Sequence, residues 1–339
     1  MNWFHVPYSA FPEHKAKWQA LNQKTMNLAF FEAEFVDALL AHFFDGDECF
    51  VYALKGSEMA FAGFFKPKGK GQWMTCMPSQ SPLGLMLHAE PIDEDMLKAI
   101  CETLPGKVAM LDLLQLDSKF SAFTPADLVE KQAYITTGNR PIPEDFDAYF
   151  KSLGKNMRQN YNKVINRAAR AEDTLSTQKV SAPDEVRMAI LKYGEIESMG
   201  WKAQEGTAIS PDNTQGKFYQ QALIGLAEKS KACCWYYLIN EEVVSVDLCI
   251  QQDDTLIILK TTYNEAFNKQ SPALMLKIEM LKYYSANLET EGIRNIEFYG
   301  KAMEWHKRLD SELREIEHAT YFPSKLIKGA VKLLKRVKK

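Results

Sequence analysis

The feature of this sequence that most restricts its fold is a set of three apolar segments joined by short polar turns. The segments are rich in aromatic and β-branched residues and cover Ala232–Ile239, Val243–Gln251 and Thr255–Tyr263. Strands of this length joined by such short turns predict an antiparallel meander. A helix beginning at Ser271-Pro272 follows, and then a further strand, Asn295–Tyr299. Strands interleaved with helices in this way are typical of an α/β fold.

The first half of the chain repeats this arrangement. A helical region over 26–44 precedes three predicted strands, Cys49–Leu54, Glu58–Phe65 and Gln72–Cys76. The segment Gln80–Leu87 resembles Gln270–Leu276, and each follows its own strand meander. Such an echo is what a tandem duplication leaves behind, although Ser-Pro before an apolar run is also a general helix start.

A proline-containing stretch separates the two halves. Thr136–Pro143 interrupts both the strand and the helix periodicity and precedes a new helical run. We therefore predict one domain over 1–140, a second over 144–323 and a separate tail over 324–339.

Composition narrows the function classes. The chain has 339 residues and a formal net charge of −3, which argues against general nucleic-acid binding, and DNA is not an expected partner. The last 16 residues carry seven cations and no anion. Because the whole chain has a net charge of −3, residues 1–323 together have a net charge of −10. The six cysteines form no C-x-x-C pair, and no histidine cluster has zinc-ligand spacing. We expect reduced core cysteines, no metal and a cytoplasmic protein.

The helix beginning at Ser271-Pro272 is a candidate anion site. Serine is a good N-cap and proline a good first helical residue, so the next amides would face outward at the positive end of a helix dipole. A pyrophosphate could bind the amides of Ala273, Leu274 and Met275, with added attraction from Lys269. The alternative is an ordinary capped helix that binds nothing.

Four sequence blocks resemble a known family. They are Ser152-Leu-Gly-Lys-Asn-Met-Arg-Gln-Asn-Tyr161, Glu197-Ser-Met-Gly-Trp-Lys202 with Gly206-Thr-Ala-Ile209, Leu259-Lys-Thr-Thr-Tyr-Asn-Glu-Ala-Phe267, and Ser271-Pro272. Their order across 145–325 is similar to that of the CelD/BcsL-like acyltransferases associated with cellulose and other exopolysaccharide biosynthesis. These proteins have a GNAT fold and are related to the FemABX aminoacyltransferases.

The resemblance implies tandem GNAT-like domains, each with a mixed, mainly antiparallel sheet flanked by helices; the first would be degenerate. It also implies that the second domain holds acetyl-CoA or another acyl-CoA. The pantetheine would follow the strand Leu256–Tyr263, and the pyrophosphate would lie at the next helix start. The residues implied in binding are Leu259, Thr261, Lys269, Gln270, Ser271, Ala273, Leu274 and Met275. This sequence departs from the family at Ala273, where glycine is frequent, and at Glu297–Lys301, where Phe-Gly-x-Gly is usual.

Acyl transfer from a thioester needs a base for the acceptor and a proton donor for the leaving thiolate. Asp247 and Glu297 are candidate bases because each stands in an otherwise apolar strand, although either could face solvent. Tyr263, which ends the cofactor strand, and His306 are candidate donors. Packing at a strand end and a surface helix are the respective alternatives.

Four residues are candidates for binding the acceptor. Trp201 and Lys202 offer a stacking face and a cation in one loop, although Trp201 could equally fill the core. Lys260 is a charged residue in an otherwise apolar strand. Arg158 belongs to a cationic helix over 151–170 that could bind an anionic substrate.

These observations predict an acyl-CoA-dependent N- or O-acyltransferase acting on a sugar or polysaccharide precursor. Two alternatives stay open: a FemABX-like enzyme using aminoacyl-tRNA, and a catalytically silent subunit of a polysaccharide assembly complex. The basic tail 324–339 has the pattern of an amphipathic helix, so we expect it to hold the protein at the inner face of an anionic membrane. A solvated C-terminus is the alternative.

Overall fold

A computed structural model describes residues 1–124, 126–200 and 208–337. The strands are β1 Asn2–Pro7, β2 Cys49–Lys55, β3 Glu58–Gly69, β4 Gln72–Thr75, β5 Met86–His88, β6 Met110–Asp117, β7 Val129–Pro141, β8 Leu175–Val180, β9 Ala232–Ile239, β10 Glu242–Gln252, β11 Thr255–Tyr263, β12 Asn295–Glu297 and β13 Glu312–Tyr321. The helices are α1 Lys15–Lys24, α2 Ala33–Phe43, α3 Glu94–Thr103, α4 Phe146–Ser152, α5 Lys155–Ala171, α6 Pro183–Ser198, α7 Thr214–Ala227, α8 Pro272–Ala286, α9 Leu288–Glu291, α10 Glu304–Arg308 and α11 Lys325–Val337.

The chain forms two compact units. The first contains Met1–Thr136 together with Arg314–Lys339, and the second contains Thr137–Leu313. Residues 314–323, which we predicted within the second domain, therefore pack with the first unit. The reason is that β13 pairs with β6 in an antiparallel ladder that includes Ile316↔Asp117 and Tyr321↔Leu111.

In the first unit, β1, β2, β3 and β4 form an antiparallel ladder in chain order, and β4 then pairs in parallel with β6. Helices α1 and α2 lie between β1 and β2 in sequence, and α3 precedes β6. The Asp93 carboxylate caps α3 by accepting from the Met96 N–H at 2.8 Å. Buried phenylalanine and leucine side chains such as Phe61, Leu97 and Leu111 fill the core between α3 and the sheet.

The second unit has the same order of pairing. Strands β8, β9, β10 and β11 form an antiparallel ladder, and β11 then pairs in parallel with β12. Helices α6 and α7 stand between β8 and β9 in sequence, and α8 stands between β11 and β12. The expected fold class, with mixed and mainly antiparallel sheets flanked by helices, is confirmed.

The division between the two units falls after Thr136, within the predicted boundary Thr136–Pro143. This stretch does not interrupt the strand periodicity as expected, because most of it belongs to β7, whose end pairs with β12 through Asn139↔Glu297 and Pro141↔Asn295. Proline is tolerated there because it is the last residue of the strand. In the first unit, Ser81-Pro82 does not start a helix; this segment leads into β5, which pairs with β3.

Candidate functional site

Strands β11 and β12 pair in parallel over a short distance and then separate. Three residue pairs join the strands, and the last is Ile257↔Glu297. Strand β11 continues to Tyr263, so the second half of this edge has no strand partner in the pairing that the structure describes. Unpaired backbone N–H and C=O groups along such an edge can bind an extended ligand by main-chain hydrogen bonds.

A β-bulge lies where the strands part. Leu248 pairs with Lys260 but Cys249 pairs with Ile258, which leaves Leu259 as the extra residue of β11. A bulge bends its strand and increases the local twist. Leu259, predicted to contact the cofactor, therefore marks the bend that moves the end of β11 away from β12.

A cavity of about 430 Å³ lies at the end of β11 and the start of α8. Its apolar wall includes Leu274 and Trp305. Its polar lining includes the side chains of Thr261 and Tyr263, two of the predicted site residues. The cavity is lined by Asn160, Thr261, Tyr263, Asn268, Ser271, Pro272, Ala273, Leu274, Lys277, Trp305 and Arg308. Concave sites of this size with a few convergent polar groups are typical of ligand pockets.

The start of α8 differs from the expectation in one respect. Ser271 occupies the N-cap position, but its φ is +48° and its side chain makes no capping hydrogen bond. Its carbonyl instead accepts the N–H groups of Leu274 and Met275, both at 3.0 Å. The expectation that these two amides face a ligand unpaired is therefore wrong, and the Met275 side chain is also fully buried. Of the three predicted amides, that of Ala273 fits an anion site best.

A buried ion pair forms the floor of the cavity. The Lys277 ammonium donates to Asp247 Oδ2 and, at 3.0 Å, to Thr261 Oγ1. The Thr261 hydroxyl in turn donates to Asp247 Oδ1 at 2.8 Å. Asp247 is fully buried and Lys277 is 4% exposed. Asp247 would have to release Lys277 before it could accept a proton from an acceptor.

Glu297 lies on the other face of the sheet from this cavity. Leu256, Ile258 and Ile296 pack in the core beneath α8. Side chains alternate along a strand, so Ile257 and its register partner Glu297 face the side of α6 and α7. Glu297 is 2% exposed and stands at the point where the two strands part.

A second polar group lies on that same side. The Tyr193 hydroxyl of α6 is 3.2 Å from the Thr261 carbonyl oxygen and 3.3 Å from Glu197 Oε1. Glu197 also accepts the Ile209 N–H at 2.8 Å. Burial and the charge of Glu197 raise the pKa of Tyr193, so its hydroxyl keeps its proton as a donor.

His306 is a buried and neutral histidine. Its Nδ1 accepts the Met303 N–H at 2.8 Å, and its ring stacks on Trp305 with centroids 3.6 Å apart. Burial, with a smaller effect of Lys277, lowers the pKa of His306 to about 4. The alternative of an exposed surface helix is wrong for this side chain, which is 3% exposed. Its neighbour Trp305 lines the cavity, whereas His306 supports that wall from behind.

The predicted acceptor residues are dispersed. Lys260 lies with its ammonium 5.8 Å from the ring centroid of Tyr219 on α7. Arg158 donates from Nε to the Leu153 carbonyl at 3.0 Å, at the start of α5. Trp201 and Lys202 lie outside the described residues. Lys269 is exposed and Gln270 is half-buried in the loop before α8, and neither lines the cavity.

The C-terminal helix α11 belongs to the first unit. Leu326 is 85% exposed, whereas Lys328 donates to the Asp127 carbonyl and lies 3.8 Å from Glu130. One cation of the predicted membrane-facing set is thus bound within the protein. Among the described residues, no helix combines the length and the hydropathy needed to cross a bilayer.

Besides Pro272, which was predicted only as a helix start, five residues of the cavity lining were not predicted as site residues: Asn160, Asn268, Lys277, Trp305 and Arg308. A signal was available only for Lys277. It interrupts the apolar run Leu274-Met-Leu of α8 just as Asp247 interrupts an apolar strand. Two opposite charges in apolar segments of one domain indicate a buried pair.

Comparison with known proteins agrees with this geometry. Residues 155–308 match the family model of an acetyltransferase (GNAT) domain. No curated protein matches the sequence. Among solved structures, FemX superimposes with a TM-score of 0.56 at 9% identity, covering 97% of this chain and 99% of that one. The C-terminal domain of a putative lysylphosphatidylglycerol synthetase from Agrobacterium fabrum gives 0.55 at 12% identity, covering 96% of each chain. L-PGS from Bacillus licheniformis gives 0.52 at 13% identity, covering 95% and 96%.

Residues 155–308 therefore have a GNAT-type acyltransferase fold. At these identities the solved structures establish the shared fold alone, and they extend it across nearly the whole chain.

Proposed function

We propose that this protein transfers an acyl group from acyl-CoA to an amine or hydroxyl of a sugar or polysaccharide precursor. The observation that carries the proposal is the cavity at the parted strands β11 and β12, next to the start of α8. A pantetheine arm fits the unpaired edge of β11, and a pyrophosphate fits the helix start. The acceptor class is supported by the sequence resemblance to the CelD/BcsL-like acyltransferases.

In this mechanism the two substrates approach from opposite faces of the sheet. The thioester lies where β11 and β12 part, and the acceptor enters from the α6 and α7 side near Glu297. Glu297 removes the proton of the acceptor as its nitrogen or oxygen attacks the carbonyl carbon. The C–S bond then breaks, and the leaving thiolate takes a proton from water. Tyr263, the predicted donor, is six residues beyond Ile257, the partner of Glu297, so it lies about 16–20 Å along the strand, next to the proposed pyrophosphate site. Asp247 holds Lys277 and Thr261 in position rather than acting as the base.

Calorimetry with acetyl-CoA and longer acyl-CoA tests the donor directly. We expect saturable binding, and absence of binding by every acyl-CoA would refute the proposal. Glu297→Gln should lower kcat for thioester consumption by about 10²- to 10⁴-fold while leaving CoA binding intact, whereas Tyr263→Phe should leave kcat nearly unchanged. The matched control for the carboxylate is Glu289→Gln, because Glu289 is exposed and pairs only with Arg294 at 2.9 Å among the described ion pairs.

An aminoacyltransferase is the second candidate. FemX covers this chain almost end to end, and α5 carries basic residues along its exposed side, among them Lys163 and Arg167. Polycationic helices bind RNA phosphates in a salt-dependent manner. Transfer from aminoacyl-tRNA without any response to acyl-CoA would favour this candidate over the first.

A further inference from the structure

A second cavity of about 600 Å³ adjoins the candidate acyl-CoA site. It lies between the end of α4, the start of α5 and helix α10, all within the second unit. Arg308 lines both cavities. This cavity is lined by Ser152, Leu153, Gly154, Lys155, Asn156, Met157, Lys307, Arg308 and Asp310.

The lining of this cavity is cationic. Lys155, Lys307 and Arg308 contribute three positive charges, and among the described residues of the lining only Asp310 is acidic. The Asp310 carboxylate lies 3.4 Å from Arg140 Nη1, which compensates it. Lys307 lies 3.3 Å from Glu304, but both side chains are mostly exposed, so this pair is weak and easily exchanged.

The start of α5 adds to the positive electrostatic potential in this cavity. Gly154 is the N-cap and has no side chain with which to satisfy the first amides. Its carbonyl accepts the N–H groups of Met157 and Arg158. The N–H groups of Lys155 and Asn156 therefore point toward the cavity end of the helix dipole. The cations and the amides together favour a dianion such as a phosphate monoester.

The two cavities differ in the chemistry that they offer. The first has an apolar wall formed by Leu274 and Trp305, and the second is lined by the cations. CoA has the same division, since a neutral pantetheine arm joins a phosphorylated nucleoside. A CoA molecule whose arm lies along β11 and whose nucleoside passes Arg308 would occupy both.

We propose that the second cavity binds the 3′-phosphate of the CoA nucleoside through Lys155, Lys307 and Arg308. This inference rests on the proposed function, because it requires CoA to be the donor. It assigns to the start of α5 and to α10 a part in donor recognition. The same cations could otherwise hold a phosphate of the acceptor, and the test separates these two sources.

The test compares CoA with dephospho-CoA, which lacks only the 3′-phosphate. We expect CoA to bind about tenfold more tightly than dephospho-CoA at low salt, and the ratio to fall as salt screens the charges. Lys155→Gln and Arg308→Gln should each reduce the ratio, and the double variant should bring it close to one. Lys217→Gln is the matched control, since Lys217 is an exposed cation of α7 that lines neither cavity.

The outcomes are separable by calorimetry on the full chain. Equal affinity for CoA and dephospho-CoA would overturn the inference and leave the proposed function standing, with an acceptor phosphate as the remaining source. A tenfold ratio that persists in the double variant would also overturn it. Failure of both ligands to bind would overturn the inference and the acyl-CoA proposal together. The unfolding midpoint of each unliganded variant shows whether the fold is retained.

Discussion

At the scale of single residues, the pair Asp247 and Lys277 is the interaction on which the site depends. Both charges are nearly excluded from solvent. Removing one member of such a pair leaves the other charge buried without compensation, which costs about 3–5 kcal/mol. The pair therefore fixes the geometry of Thr261 at the cavity floor whether or not it takes part in chemistry.

A double-mutant cycle measures this dependence. We predict that Lys277→Met and Asp247→Asn each lower the free energy of unfolding by about 3–5 kcal/mol, and that the double variant loses far less than their sum. Urea denaturation provides the values. If Asp247→Asn abolished thioester consumption at unchanged stability, Asp247 would be the base and the positioning role would be wrong.

His306 gives the protein a dependence of stability on pH. Its pKa in the folded state is about 4, whereas a histidine in the unfolded chain titrates near 6.5. Between these values the unfolded chain binds a proton that the folded protein does not, so stability falls as the pH decreases from about 6.5 to about 4. We predict that His306→Gln flattens this part of the curve of unfolding free energy against pH, and that the exposed control His5→Gln leaves it unchanged.

At the scale of elements, the start of α8 depends on backbone conformation more than on capping by a side chain. Ser271 has a φ of +48°, which costs a residue with a Cβ about 1 kcal/mol. We predict that Ser271→Gly raises the free energy of unfolding by up to about 1 kcal/mol. An N-cap serine would instead lose a few tenths of a kcal/mol on the same change. Urea midpoints for Ser271→Gly and Ser271→Ala separate the two accounts, because only capping makes both variants less stable.

The elements of the second unit were largely predictable from the sequence, and their contacts were not. Strands β9 and β11 have the predicted bounds, because alternating apolar residues and polar turns report local structure directly. The left-handed conformation of Ser271 carries no such signal, because serine is common at helix starts of either kind. The Lys277–Asp247 pair joins residues 30 positions apart. The sequence indicates two charges in apolar segments, but only the packing of α8 on the sheet shows that they pair.

At the scale of the whole molecule, the sequence could not show that the last strand of the chain belongs to the first unit. The sequence of β13 is an amphipathic strand that suits any sheet edge, and its ladder with β6 places Arg314–Tyr321 with the first unit. The alternation of apolar and polar residues shows which face of a strand is apolar, but it does not show which strand will pair with it. The two units repeat the same order of strand pairing, as a tandem duplication would leave it, although Gln80–Leu87 leads into β5 and Gln270–Leu276 begins α8.

The C-terminal segment therefore has two parts that truncation separates. Deleting 314–339 removes all of β13 except its first two residues, including the buried Ile316 and Tyr321. Burial of these two side chains contributes about 3–6 kcal/mol, a large share of the stability of a typical domain. We predict that this variant is insoluble or that its first unit is unfolded, as circular dichroism and limited proteolysis would report.

Deleting 324–339 removes only α11 and the residues after it, so the fold and acyl-CoA binding should persist. Each basic residue near an anionic surface contributes about 1 kcal/mol, and Lys328 is already bound by Asp127. We therefore predict that the full chain sediments with vesicles containing phosphatidylserine at low salt, and that the variant lacking 324–339 does not. Neutral vesicles serve as the control. Equal sedimentation of both proteins would show that the basic helix is not the membrane contact, because the shorter chain has lost every cation of that segment.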